Sequence, residues 1–110
     1  MPIIYKKIDK LIIIYQSTKK NKINFNKKEK IITFVGKLNA AKGYDLFGKA
    51  CIKILKRFPD WKVEVVGDEA REKINFIHPR FKLNGFQNHN YVQKLYKKTS
   101  IAVICSRWEE

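Results

Sequence analysis

Two lysines, Lys37 and Lys42, bracket a polar turn in the stretch Ile31–Gly43, which reads Ile-Ile-Thr-Phe-Val-Gly-Lys-Leu-Asn-Ala-Ala-Lys-Gly. An apolar run ends at Gly36, and an amphipathic helical pattern begins near Gly43. The first turn of a helix exposes N–H groups and the positive end of the macrodipole, so lysines there are electrostatically misplaced. A bound anion would reverse that argument, because N–H groups and ammonium groups would then converge on it. The alternative is two solvated lysines in a Lys-rich chain. The stretch has no G-x-G-x-x-G, and the order Lys42-Gly43 does not fit G-x-x-x-x-G-K-[ST].

The elements that must position these residues follow from periodicity. Ile31–Val35 is a nearly continuous apolar run, as expected of a buried parallel strand. From Gly43, the positions Phe47, Ala50, Cys51, Ile54, Leu55 and Phe58 repeat at helical spacing, with Lys49, Lys53, Lys56 and Arg57 on the other face, and Pro59-Asp60 stops the helix. Trp61–Val66 is a second strand, turned by Gly67-Asp68 into a weak short helix over Glu69–Ile74. A loop through His78-Pro79 leads to a third strand, Phe81–Asn84, which ends at Gly85-Phe86. Asn88 or Asn90 caps a helix running to Thr99, with Val92, Leu95, Tyr96 and Thr99 inward and His89 in the loop before it. Ile101–Cys105 is a fourth strand, opening into Ser106-Arg107-Trp108-Glu109-Glu110.

Alternating strands and helices predict an α/β fold, a partial Rossmann-like parallel sheet with flanking helices. Ligands in such sheets bind beyond the carboxyl ends of the strands. Those ends carry Gly36-Lys37, Gly67-Asp68, Gly85-Phe86 and Ser106–Glu110, so the polar candidates collect at one edge. That convergence favours the anion site over solvated lysines. Asp68 reads as a turn former, and Trp108 and Tyr44 as packing residues.

The chain is 110 residues long, one small domain or part of a larger one, and its 45% hydrophobic content suffices for a packed core. The net charge is +14. Residues 1–30 hold nine lysines against Asp9 and Glu29, half of that excess in little more than a quarter of the chain. These residues contain one strand candidate, Leu11–Tyr15, followed by a Lys/Asn-rich stretch to Lys30 that reads as a linker or surface loop. Only four of the basic residues are arginine, the side chain best suited to bidentate phosphate and base contacts, which argues against nucleic acid as a partner. Cys51 and Cys105 form no C-x-x-C and read as reduced core residues. His78 and His89 lie in separate loops, so no metal is expected. Leu11–Tyr15 is too short for a signal segment or a membrane span. The reading is a soluble cytoplasmic protein, with peripheral contact with an anionic membrane left open.

Taken in order, these pieces resemble the C-terminal, donor-binding domain of retaining GT-B-type glycosyltransferases of family 4. The match runs from about Ile31 to Glu110: a strand ending Gly-Lys-Leu with Lys-Gly shortly after, then Phe-Pro-Asp-Trp-Lys-Val-Glu-Val-Val-Gly-Asp. Leu-Asn-Gly-Phe follows, then the Tyr91–Thr99 helix with its Leu-Tyr, and Ile-Ala-Val-Ile-Cys-Ser-Arg-Trp-Glu-Glu. Leu11–Gln16 is loosely similar to the strand that joins the family's two domains.

The resemblance implies a nucleotide-sugar donor in the crevice, no cofactor or metal, and an acceptor that is a glycan, lipid or small molecule. The family's basic pair falls on Lys37 and Lys42, at the donor diphosphate. Lys at 37, where the family usually has Arg, keeps the charge and loses the planar fork. Gly36 belongs to the same turn, and Gly85-Phe86 corresponds to the region beside the nucleotide base. The first carboxylate of the family's Glu-x7-Glu motif, which binds sugar hydroxyls, falls on Glu110, or on Glu109 in a shifted alignment. Cationic groups on a leaving diphosphate act electrostatically, and one such contact is worth ~3 kcal/mol in rate. The resemblance also implies a fragment: residues 1–30 as the end of a preceding domain and a basic linker, and residues 31–110 as the first part of the nucleotide-sugar-binding domain, with no transfer expected from them alone. The alternatives are a basic binding module for nucleic acid or an anionic membrane, and an inactive remnant of the fold.

Overall fold

The computed structural model describes residues 25–107. The strand candidate Leu11–Tyr15, together with Trp108, Glu109 and Glu110, lies outside them. A 3-10 turn over Phe25–Lys27 leads into β1 (Ile31–Val35), α1 (Tyr44–Arg57), β2 (Lys62–Val66), β3 (Phe81–Leu83), α2 (His89–Lys98) and β4 (Ile101–Ala102). The four strands form one sheet in the order β3-β2-β1-β4, and every pairing is parallel. The chain builds outward from β1 through β2 to β3, then returns to place β4 on the other side of β1. The strand order therefore reverses between β1 and β4.

The sheet register puts Ile32, Phe34, Val63, Val65 and Phe81 on the face that α1 covers, and these residues cluster with Tyr44, Phe47, Cys51 and Leu55. Ring centroids lie 5.1 Å apart for Phe34–Phe47 and 5.3 Å apart for Phe34–Tyr44. Each fully buried large apolar side chain contributes roughly 1.5–3 kcal/mol. The buried stripe of α1 is Tyr44, Phe47, Gly48, Cys51 and Leu55, rotated from the expected one. Phe76 lies against the helix at Gly48 while Ala50 is exposed, and Phe58, the extended C-cap residue, leaves the helix and is exposed too. Arg80 closes the far end of α1: its guanidinium donates to the carbonyls of Leu55 at 2.6 Å and Phe58 at 3.2 Å, where a cation also suits the macrodipole.

The other face is thinner and more polar. Leu95 and Thr99 are its buried residues on and just after α2. Thr33 Oγ1 lies 2.8 Å from Thr99 Oγ1, which donates onward to the Leu95 carbonyl at 2.7 Å. Tyr96 is exposed, contrary to its expected inward position, and Val92 is half-buried.

Three further expectations are corrected. Glu69–Ile74 forms no helix. Glu69 Oε2 accepts from the backbone N–H of Arg71 at 3.2 Å, a local turn that competes with helical pairing, and only two of the six residues are apolar. β4 stops at Ala102. Val103 still donates to the Thr33 carbonyl at 3.0 Å, but Gly36 turns its own N–H to Val66, and the chain beyond Val103 swings toward residues 40–43. His89 is the first residue of α2, with the Asn88 side chain accepting from Tyr91 N–H as the N-cap.

Candidate functional site

The carboxyl ends of β1 and β2 are joined by backbone hydrogen bonds from Gly36 N–H to the Val66 carbonyl at 3.0 Å and from Leu38 N–H to the Asp68 carbonyl at 3.3 Å. Gly67 N–H donates to the Gly85 carbonyl at 2.8 Å, adding the end of β3 to the same edge. At Gly67 φ is +139°, and a Cβ would stand 1.8 Å from the Gly36 carbonyl oxygen, so only glycine allows the two turns to meet.

Above this edge lies a cavity of ≈ 250 Å³. Val35-Gly36-Lys37 and Val66-Gly67-Asp68 form one side, and Phe86, Gln87 and Val92 form the other. Gln87 is held by a 2.7 Å hydrogen bond from its Nε2 to the Asn84 carbonyl. Phe86 is 77% exposed, its ring open for contact with a flat ligand. Lys37 brings the cavity its cation and Asp68 its carboxylate. Among the described residues Lys37 forms no ion pair.

Of the expected site residues, the structure brings Gly36, Lys37 and Phe86 around one cavity, with Gly85 behind it through its carbonyl. Lys42 is not in the lining. The Asn39 side chain accepts from Lys42 N–H at 2.9 Å, closing a turn that carries Lys42 to the start of α1. Gly43 follows at φ +75°, where a Cβ would meet the Cys105 carbonyl oxygen at 2.0 Å, so the segment after β4 packs directly on the α1 N-terminus. Glu109 and Glu110 lie outside the described residues.

The helix N-terminus already has a resident anion. Arg107 grips Asp45 with two hydrogen bonds, 2.8 Å and 2.9 Å, and also donates to the Ala40 carbonyl. The Arg107 guanidinium holds the Asp45 carboxyl at about 2, with the first-turn N–H groups assisting. On the far side of the loop, Glu69 accepts from Asn39 Nδ2 at 2.9 Å and Glu72 from Ala40 N–H at 3.0 Å. Arg71, then Asn39, keep the Glu69 carboxyl at about 2. The electrostatic misplacement read from the lysines is thus partly answered within the chain. These carboxylates escaped the sequence reading because Asp45 and Arg107 are 62 residues apart, and Asn39 and Glu69 are 30 apart.

Cys105 is half-buried, its thiol donating to the Gly43 carbonyl at 3.2 Å, and Cys51 is buried in the core, with both thiols free. Among the described residues, no group of three or more His, Cys, Asp or Glu is placed to hold a metal. No described helix is long and apolar enough to cross a membrane.

A parallel α/β sheet whose strand-end turns make a crevice with one cation and one open ring is the architecture of a ligand-binding α/β domain. Residues 16–110 match the family described as glycosyl transferases group 1, and the chain belongs to that family. A search of curated proteins finds no significant match to the chain. The family is of the GT-B type and is associated with nucleotide-sugar donors.

Proposed function

We propose that the crevice beyond β1 and β2 binds the diphosphate and base of a nucleotide-sugar donor, and that the intact enzyme transfers the sugar with retention of configuration to a glycan, lipid or small-molecule acceptor. In this reading residues 31–110 begin the donor-binding domain and residues 1–30 lead into it. The observation that carries the proposal is Lys37. It is an ammonium group at the end of the central strand, beside two strand-end glycine turns, and it lines the same cavity as the exposed ring of Phe86. Lys37 supplies charge for the diphosphate, Gly36 and Gly67 allow close approach of backbone, and Phe86 offers a face on which a base can stack. Lys42 contributes to the same potential from the start of α1. Glu109 and Glu110 are assigned to the sugar hydroxyls. Asp68 opposes a bare anion and suits a ligand that also carries hydroxyl donors.

Calorimetric titration of the chain with uridine, adenosine and guanosine diphosphates, and with the matching monophosphates, tests this. The expected result is tighter binding of a diphosphate than of its monophosphate. Lys37→Ala should weaken it by roughly 10–100-fold, the range for losing a hydrogen bond to a charged group, and Lys42→Ala by less. Equal affinity for mono- and diphosphates, or an unchanged affinity in Lys37→Ala, contradicts the proposal.

A further inference from the structure

We propose that the edge of the sheet opposite the crevice is a docking surface for an anionic lipid bilayer. The end of α2 and the segment entering β1 are tied together there. Glu29 N–H donates to the Lys98 carbonyl at 2.7 Å, and Lys28 Nζ reaches the Tyr96 carbonyl at 2.9 Å. These contacts gather Lys27, Lys28, Lys97 and Lys98 around an open depression of ≈ 500 Å³. The carboxylate in its lining is Glu29, which already faces Lys62 Nζ at 3.7 Å. Within the sequence no acidic residue falls between Asp9 and Glu29, and Lys19, Lys20 and Lys22 directly precede the patch. Among the described residues Lys27, Lys28, Lys97 and Lys98 form no ion pair, so four cations share the depression with one carboxylate.

Charge alone would suit any polyanion. The apolar component selects among them. Phe25, in the 3-10 turn beside these lysines, is 77% exposed, and Tyr96 is 41% exposed. Lysines with long methylene stems beside an outward aromatic ring match a headgroup layer with an acyl boundary beneath it. No arginine contributes to the depression, so it lacks the planar fork that favours nucleic-acid phosphates and bases. α2 runs from the crevice, where Val92 lines the cavity, to this patch, so a chain docked here keeps the crevice turned to water. The inference does not depend on what the crevice binds.

Co-sedimentation of the 110-residue chain with phosphatidylcholine vesicles, with and without phosphatidylglycerol, tests it. Binding is expected only to the anionic vesicles and should fall with added salt. Lys27→Glu combined with Lys97→Glu should lower the partition coefficient by roughly 25-fold or more, taking about fivefold for each lysine at a charged membrane surface. Lys49→Glu combined with Lys53→Glu, on the exposed face of α1, makes the same change in net charge and should cost no more than about twofold to threefold at a Debye length of roughly 8–10 Å. All four side chains are exposed, and circular dichroism should show both variants folded. Equal losses in the two variants, absence of binding to anionic vesicles, or tighter binding of the same patch to single-stranded nucleic acid overturns the proposal.

Discussion

The two faces of the sheet are built differently. Under α1 the layer is aromatic and closely packed: Phe34, Tyr44, Phe47, Phe76 and Phe81 form a continuous chain of ring contacts with centroids 5.1–6.3 Å apart. Under α2 the buried residues include Thr33 and Thr99, hydrogen-bonded to each other, and Glu64, which accepts from Asn84 Nδ2 at 3.2 Å. A cavity of ≈ 260 Å³ remains between β2 and α2, lined by Glu64, Tyr91, Lys94, Leu95 and Lys98. The loop carrying Lys37 and Gly43 belongs to the first layer. Phe86, Gln87 and Val92 reach the crevice from the second. The crevice is thus lined from a closely packed aromatic layer and from a polar layer that borders a cavity.

The largest expected effect separates the layers directly. Phe47→Ala should cost about 4 kcal/mol of unfolding free energy, and Leu95→Ala about 2–3 kcal/mol, because the second site already borders a void that removes part of the cavity term. Equal losses in denaturant titrations would mean that the two layers are packed alike. A smaller effect has the opposite sign. Among the described residues the buried Tyr44 hydroxyl has no hydrogen-bond partner. Tyr44→Phe keeps the ring and removes the orphan group, and should raise stability by about 1 kcal/mol.

Thiol labelling sharpens the same contrast without mutation. Burial, with a smaller contribution from Cys105, pushes the Cys51 thiol up to about 12, whereas partial burial also raises the Cys105 thiol but leaves it half-exposed. A thiol reagent at mildly alkaline pH should modify Cys105 first and Cys51 only when the chain unfolds. Labelling of Cys51 in the native state at a comparable rate would mean that the α1 layer opens readily.

The smallest effect is acid sensitivity at the loop. Asp45 and Glu69 ordinarily titrate at 3.8 and 4.5, and both are held at about 2. Depressed carboxyls add stability that is fully present above the ordinary values and is lost as pH falls through the folded ones. Thermal unfolding should therefore show a modest loss between roughly pH 4.5 and 2, reduced in Arg107→Ala. A profile unchanged by that substitution would remove Arg107 as the cause.

Most of the fold was legible because its signals are local. Ile31–Val35 and the α1 pattern follow from strings of apolar residues, and Asn88 caps α2 by a hydrogen bond that spans only three residues. Alternation of strand and helix was enough to expect the parallel sheet. The apparent helix at Glu69–Ile74 failed because its carboxylates are used elsewhere, on Arg71, Asn39 and Ala40. Strand ends are also local features, so the gathering of Gly36, Lys37 and Phe86 at one edge of the sheet was legible. The position of Lys42 could not, because it depends on the Asn39 turn and on Cys105 packing against Gly43. Sequence spacing counts residues between two lysines. It does not give the direction in which the turn sends them.

If the strand-end crevice is the proposed nucleoside-diphosphate site, a bound diphosphate perturbs the backbone around it and leaves the opposite edge of the sheet alone. Amide chemical-shift mapping with uridine diphosphate reads this residue by residue. Shifts are expected to concentrate at Gly36, Lys37, Gly67, Asp68 and Phe86, with Lys27 and Lys97 at the opposite edge unmoved. Shifts centred on Lys27 and Lys97, or spread evenly over the exposed lysines, would rule the crevice out as the diphosphate site.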